Sequence, residues 1–239
     1  MSGNVKSRMP ILLTIFAIAS CAIALVFWLR NRRLRREDFI RHAELPRGLF
    51  EKLMKRHPQL SLKDCQLVAH GLRQFFLAHL KSGRKFVSMP SQVVDDLWHE
   101  FILYTKNYDL FCRRAFGRFM HHTPAVVLSS HAAMNEGLRR CWWYSCKEEN
   151  IDPASPTRLP LLFALDAKLS VAGGFTYVPD CKGVRRTDPG SSAGAAYCGG
   201  DFGSDAFDGG TAGFDDAGGD GGGGGSGDGC GGGGCGGGD

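Results

Sequence analysis

The sequence predicts a mainly α-helical protein with one N-terminal transmembrane helix, a small cytoplasmic helical domain and a disordered glycine-rich tail. Three observations support this fold class. Residues 11–29 form an uncharged apolar run, residues 59–180 carry amphipathic helical patterns, and residues 181–239 are rich in glycine, aspartate and cysteine. A short flank, residues 1–10, precedes the run, and a basic juxtamembrane segment, residues 30–58, connects it to the helical domain.

The predicted membrane span runs from Ile11 to Leu29 and contains 19 residues without a charge. At about 1.5 Å per residue, a helix of this length covers roughly 28 Å, close to the hydrocarbon thickness of a bilayer. Five arginines follow within residues 30–36, whereas only Lys6 and Arg8 precede the run. Because positive charge stays on the cytoplasmic side, the asymmetry predicts a single-pass protein of a bacterial inner membrane with its C-terminal domain in the cytoplasm.

A lipoprotein is the alternative interpretation of the same run. The tetrapeptide Ile18–Cys21 resembles the cleavage box of a bacterial lipoprotein, which would make Cys21 the lipidated residue and place the domain outside the cytoplasm. However, the apolar run continues for eight residues beyond Cys21 and then meets the arginines. A signal peptide normally ends its apolar core before the cleavage site, so the uncleaved anchor is favoured.

The helical domain is predicted from four amphipathic patterns. Ser61–Asp64 resembles a capping box and opens a helix that ends near Ser82. Two further helices are expected at residues 130–149 and 161–169, with one short strand at residues 173–178.

The fourth and longest helix is predicted to open at Pro90 or Ser91 and to end at Gly117. Its apolar stripe follows alternating steps of three and four residues: Val94, Leu97, Phe101, Tyr104, Tyr108, Phe111 and Ala115. The opposite face carries Leu103 and Leu110, which a fully solvated face would not need. We therefore expect another element to cover that face.

The same polar face carries the candidate site. Asp95, Asp96 and His99 point away from the stripe, and i, i+3 and i, i+4 spacings allow a helix to offer carboxylate and imidazole groups to one metal ion. His121 and His122 follow the helix and could fold back to supply the missing ligands. Such oxygen and nitrogen donors suit a transition metal such as zinc or iron. The alternative is a solvated face followed by an ordinary turn.

The nine cysteines lack the dense, regular spacing of a secreted disulfide scaffold. Buried thiols in a reducing compartment are the expected result. The late cysteines Cys181, Cys198, Cys230 and Cys235 are a weaker alternative zinc set, because none forms a C-x-x-C pair.

The glycine-rich tail differs in composition from the rest of the chain. Residues 199–239 include 22 glycines and 8 aspartates without a lysine or arginine. This segment therefore has a formal charge of −8, whereas the whole chain has a net charge of +5. Two G-G-x-x-G-x-D copies depart in spacing and period from calcium-binding repeats. The segment offers almost nothing to bury, which predicts disorder.

The longest helix also carries a recognisable pattern. It reads D-x-x-W-H from Asp95 to His99, followed by Tyr108, F-C at Phe111 and F-G at Phe116. This pattern resembles the helical domain of the glycine-rich domain-containing protein-like family, known chiefly from plants, over residues 60–150. That family often has a second histidine two places after the first, where this chain has Phe101. The resemblance implies no settled biochemical activity.

The functional prediction is a membrane-anchored interaction or scaffolding module with a protein partner. Residues 11–36 are expected to contact membrane lipids. The basic run abuts the membrane span, so anionic headgroups account for it and no nucleic-acid partner is expected. The alternative is a metal-dependent enzyme or metal sensor that uses the Asp/His cluster. Whether the protein is an enzyme stays open, because the chain carries no specific nucleophile motif or phosphate-binding loop.

Overall fold

The computed structural model describes residues 3–122, 131–179, 197–199 and 202. These residues form seven helices and two short strands: α1 (Gly3–His42), α2 (Leu49–Arg56), α3 (Leu62–Lys81), α4 (Gln92–Leu103), α5 (Thr105–Ala115), α6 (His131–Glu148), α7 (Leu161–Lys168), β1 (Tyr177–Val178) and β2 (Tyr197–Cys198). The mainly helical fold class is confirmed.

Helix α1 contains the predicted membrane span and continues into the helical domain. Its stretch Leu13–His42 is long and apolar enough to cross a membrane. The most apolar part of this stretch has a mean hydropathy of 2.1, and none of its residues is buried. A signal sequence near the N-terminus meets the same criteria of length and composition. At the other end of α1, Ile40 is fully buried, and Leu49 and Leu53 of α2 are buried with it. The predicted juxtamembrane segment, residues 30–58, therefore includes part of the domain core.

Helix α3 lies at the centre of the domain and contacts α1, α2, α4, α6 and α7. The predicted capping box opens it, since the Asp64 amide donates to Ser61 Oγ at 3.3 Å and the Ser61 amide donates to Asp64 Oδ2 at 2.9 Å. A Cβ atom on Gly71 would lie 2.5 Å from Leu165 Cδ1. Glycine at this position therefore allows α7 to approach α3 closely.

The longest predicted helix is two helices in the structure. Tyr104 separates α4 from α5 with the non-helical angles φ −81° and ψ 59°. The Tyr104 hydroxyl donates a hydrogen bond of 3.3 Å to the Arg47 carbonyl oxygen, which ties the break to the chain before α2. The stripe still faces the core, and Phe101 and Tyr108 meet edge to face across the break at 5.2 Å.

The prediction that another element covers the opposite face is wrong for two of its residues. Leu103 is 67% exposed and Leu110 is 57% exposed. Neither side chain belongs to the core cluster.

The folded domain extends beyond residue 180, although the disordered tail was predicted to begin at residue 181. Strand β1 pairs in parallel with β2, so Tyr177 lies opposite Tyr197. Phe202 is 4% exposed, and its ring lies 5.7 Å from that of Trp142. Residues 203–239 of the predicted disordered tail lie outside the described residues, as do Cys181, Cys230 and Cys235.

Four of the cysteines are core thiols. Cys65, Cys112, Cys141 and Cys146 are buried and unpaired, as the sequence predicted. Burial raises the pKa of all four thiols, so they stay protonated near neutral pH. They are packing residues rather than nucleophiles.

Candidate metal centre

The start of α4, the helix that carries Asp95 and His99, is fixed by a buried aspartate from α7. Asp166 is 3% exposed and accepts hydrogen bonds from Ser91 Oγ at 2.7 Å, from the Gln92 amide at 2.7 Å and from the Val93 amide at 3.1 Å. These amides have no acceptor within the helix, and a carboxylate at a helix N-terminus also interacts favourably with the helix dipole. Asp166 therefore holds the start of α4 in one position.

Three side chains converge at the exposed edge of α4. His99 Nδ1 lies 3.4 Å from Asp95 Oδ2, and His122 Nε2 lies 3.0 Å from Asp95 Oδ1. The two imidazole rings are 4.2 Å apart between centroids. One potential ligand atom from each of the three residues lies within 4.8 Å of the other two. Asp95 thus contacts both imidazoles through its two oxygens.

His122 reaches this cluster because the chain turns back after α5. Gly117, at φ 78°, ends the helix in the left-handed conformation that favours glycine. The Tyr108 hydroxyl then donates a hydrogen bond of 2.7 Å to the Met120 carbonyl oxygen and accepts one of 3.1 Å from Trp98 Nε1. The Trp98 ring lies 4.6 Å from the His122 ring, edge to face. Two buried aromatic side chains therefore position the returning segment.

Asp96 does not join the cluster, so its assignment to the same face is wrong. Its side chain points to the end of α2, where His57 Nε2 lies 2.8 Å from Asp96 Oδ2 and Arg56 Nη1 lies 3.1 Å from Asp96 Oδ1. Consecutive helical residues differ by about 100° in direction, which is enough to send Asp95 outward and Asp96 towards α2. Asp96 is 5% exposed and ties α4 to α2.

His121 is also separate from the cluster. It is exposed, and its ring lies 4.8 Å from that of Phe119. Of the two adjacent histidines, His122 is the one that contacts Asp95. The structure brings together Asp95, His99 and His122 out of the five predicted ligands.

The geometry of the three side chains fits a transition-metal ion. Two nitrogen ligands bound at about 2.0–2.1 Å in a tetrahedral site lie about 3.4 Å apart, so donor atoms that lie within 4.8 Å of one another would have to approach by at most about 1.4 Å. Two imidazoles and one carboxylate form a ligand set used by both zinc and non-haem iron. The side chains of His122, Asp95 and His99 are 15%, 22% and 44% exposed, so the centre is open towards His99.

Tyr108 and Trp98, which position the segment that carries His122, could be predicted from the sequence only as core residues. Tyr108 belongs to the predicted stripe, and Trp98 belongs to the D-x-x-W-H pattern, but neither spacing shows that their polar atoms meet each other and Met120. Asp166 gave no local signal, because the donors that it accepts from lie 73 to 75 residues earlier in the chain.

A protein-family model described as UCP032817-like matches residues 35–202. The chain belongs to this family. The match covers Asp95, His99 and His122, begins at the domain end of α1 and ends at the buried Phe202. No curated protein and no solved structure matches the chain.

The UCP032817-like family is uncharacterised, so membership brings no activity with it. The matched region does coincide with the folded domain: it excludes the apolar run and most of the glycine-rich segment. The resemblance to the glycine-rich domain-containing protein-like family stays a prediction.

Proposed function

We propose that this member of the UCP032817-like family is a membrane-anchored protein whose helical domain binds one transition-metal ion, such as zinc or iron, through Asp95, His99 and His122. The observation that carries the proposal is the convergence of two imidazoles and one carboxylate within 4.8 Å, from α4 and from the segment after α5.

The three ligands would leave room for further chemistry at the centre. A metal site with three protein ligands keeps at least one coordination position open for water or a substrate. The metal ion polarises the molecule that binds at that position. The half-exposed side of His99 gives solvent access to that position. His122 Nε2 lies 3.0 Å from Asp95 Oδ1, and the Trp98 ring packs against the His122 ring, so both contacts keep this imidazole at the centre. The arrangement suits a metal-dependent enzyme as well as a metal sensor.

The proposed anchor is α1, with its N-terminus outside the cytoplasm and the metal-binding domain inside. Its support is the unburied apolar stretch of α1 and the five arginines within residues 30–36. A reporter fused after Asp239 should be active only as a cytoplasmic reporter. Activity only as a periplasmic reporter would support the lipoprotein alternative at Cys21.

The metal proposal is tested by elemental analysis of the full chain, purified in detergent through a tag that contains no histidine. We expect about one equivalent of zinc or iron per chain after growth in medium that contains both metals. His121→Ala is the matched control, because it removes an adjacent imidazole that lies outside the cluster, and it should keep the metal. Wild-type protein that carries neither metal and takes up neither in titration would refute the proposal.

An interaction module at the membrane is the second candidate function. The observation that favours it is the exposure of two large apolar side chains, Leu103 at the end of α4 and Leu110 on α5. A photo-crosslinking residue at Leu110 should give one discrete adduct in cells, whereas the same residue at the neighbouring exposed position Lys106 should not. Equal labelling at both positions would count against a defined partner surface.

A further inference from the structure

A basic cleft of about 700 Å³ lies between the domain end of α1 and α5. Three of its arginines, Arg32, Arg35 and Arg36, come from α1, and the fourth, Arg114, comes from α5. Trp28 and Phe39 form its apolar walls, and none of the described residues that line it is acidic. The residues from α1 recur every three or four positions, so they form one face of the helix.

The positive charge in this cleft has no counter-charge paired with it in the described part of the chain. None of the four arginines has a carboxylate partner among the described residues, whereas the neighbouring Arg33 and Arg113 pair with Glu37 and Asp109. Burial, together with the nearby charges of Arg32 and Arg84, lowers the pKa of Arg36. An anion that entered the cleft would relieve this repulsion.

The aromatic walls hold two of the guanidinium groups in place. The Arg32 guanidinium lies 5.3 Å from the centre of the Trp28 ring, and the Arg114 guanidinium lies 4.7 Å from the centre of the Phe39 ring. Stacking of this kind leaves the N–H groups at the edge of each guanidinium free to donate to an oxyanion. The arginines are therefore ordered before a ligand arrives.

The depth of the cleft relative to the apolar run indicates where that anion comes from. At about 1.5 Å per residue, Arg32 lies roughly 4.5 Å beyond Leu29, and Arg36 lies roughly 10.5 Å beyond it. The headgroup layer on each side of a bilayer is about 5 to 8 Å thick. The membrane end of the cleft, at Arg32, therefore lies at the level of the lipid headgroups, and Arg36 lies a few ångströms beyond that level.

We propose that this cleft binds the phosphate of one anionic phospholipid headgroup, held between the arginines of α1 and Arg114 of α5. Guanidinium groups form paired hydrogen bonds with phosphate oxygens, which gives geometric specificity as well as charge attraction. The proposal rests on the membrane anchor proposed above and is independent of the metal centre. Its consequence is that a bound lipid fixes the domain against the membrane surface, because Arg114 lies outside the juxtamembrane basic run.

The experiment uses the full chain in a non-ionic detergent, with its intact mass checked. Dioctanoyl phosphatidylglycerol, dioctanoyl phosphatidylcholine and inorganic phosphate are titrated separately, and binding is followed by thermophoresis. We expect saturable binding of phosphatidylglycerol, and binding of the other two that is at least tenfold weaker. Arg114→Gln should weaken phosphatidylglycerol binding by about fivefold or more.

Arg113→Gln is the matched control, because it removes the same charge from the next residue of the same helix, outside the cleft. It should leave lipid binding unchanged. Arg35→Gln should reproduce the loss without disturbing the stacking on Phe39, which separates lost binding from misfolding. Metal content should stay at the wild-type value in all three variants.

Three outcomes would overturn the lipid site. The first is an equal loss of binding in Arg113→Gln and Arg114→Gln, which would indicate diffuse charge attraction. The second is equal binding of phosphatidylglycerol and phosphatidylcholine. The third is binding of inorganic phosphate as tight as that of the lipid, which would make the cleft a site for free phosphate. A chain found cleaved within residues 11–29 would instead refute the anchor.

Discussion

His122 Nε2 lies 3.0 Å from Asp95 Oδ1, although 27 residues separate the two in the chain. The same carboxylate has its other oxygen 3.4 Å from His99 Nδ1. One aspartate thus joins a histidine one helical turn away to a histidine that returns from beyond α5. This arrangement turns a polar helix edge into a three-ligand cluster, and the proposed metal centre depends on it.

Loss of His122 should abolish tight metal binding. His122→Ala removes one of three ligands, so zinc affinity should fall by more than about 100-fold, beyond what the loss of a supporting residue costs. The measurement is competition with a chelating dye of known affinity. His121→Ala is the control and should keep wild-type affinity. Equal effects of the two substitutions would mean that the cluster is not the site.

The hydroxyl of Tyr108 should influence metal affinity without touching the ion. Tyr108→Phe leaves the Met120 carbonyl and Trp98 Nε1 without this partner, so the segment that carries His122 loses its anchor. We expect about tenfold weaker zinc binding and a loss of about 1–3 kcal/mol in unfolding free energy. Urea denaturation of the metal-free and zinc-loaded protein measures both. An unchanged zinc affinity would contradict the positioning role.

Substitutions of the adjacent residues Asp95 and Asp96 should have different effects, one on metal binding and the other on stability. Asp95→Asn should remove most zinc affinity and change the unfolding free energy of the metal-free protein by less than about 0.5 kcal/mol. Asp96→Asn should keep the metal but cost about 2 kcal/mol, because it breaks a buried contact with His57 and Arg56. Dye competition and urea denaturation of both variants test the division. The reverse pattern would restore Asp96 as a ligand.

His79 should make the domain less stable in mild acid. Burial is the main cause that lowers its pKa from 6.5 to about 4, and the ring contacts the Lys85 carbonyl oxygen at 3.0 Å. Between these pH values the unfolded chain binds a proton that the folded domain does not, so stability falls as the pH falls from 6.5 to 4. The loss attributable to His79 reaches at most about 3 kcal/mol.

The measurement for His79 is urea denaturation between pH 7 and pH 4, compared with His79→Asn, which keeps a side-chain donor. The wild type should lose more stability than the variant across this range. Parallel pH profiles would show that His79 does not cause the loss.

The helices were predictable because their signals are local. The Ser61 and Asp64 capping box and the Val94 to Ala115 stripe depend on residues three or four positions apart, and the structure confirms both. The break at Tyr104 was not predictable, because the stripe passes through it with unchanged spacing. The break is accompanied by a contact with Arg47, which lies 57 residues away.

The candidate site was predictable only in part for the same reason. Helical geometry places Asp95 and His99 on one edge, but the division between Asp95 and Asp96 depends on where α2 packs. The choice of His122 over His121 depends on the turn at Gly117 and on Tyr108. Likewise, the burial of Phe202 could not be predicted from the glycine-rich composition, because a single aromatic residue that packs on Trp142 hardly changes the average hydrophobicity of the segment.

The most direct test of the metal centre is X-ray absorption at the metal edge of the purified full chain. We expect a first shell of nitrogen and oxygen at about 2.0–2.2 Å with the scattering signature of two imidazoles, lost in His122→Ala and kept in His121→Ala. A sulfur shell at about 2.3 Å would place the metal on cysteines instead and contradict the proposed centre. A shell without imidazoles would contradict it equally.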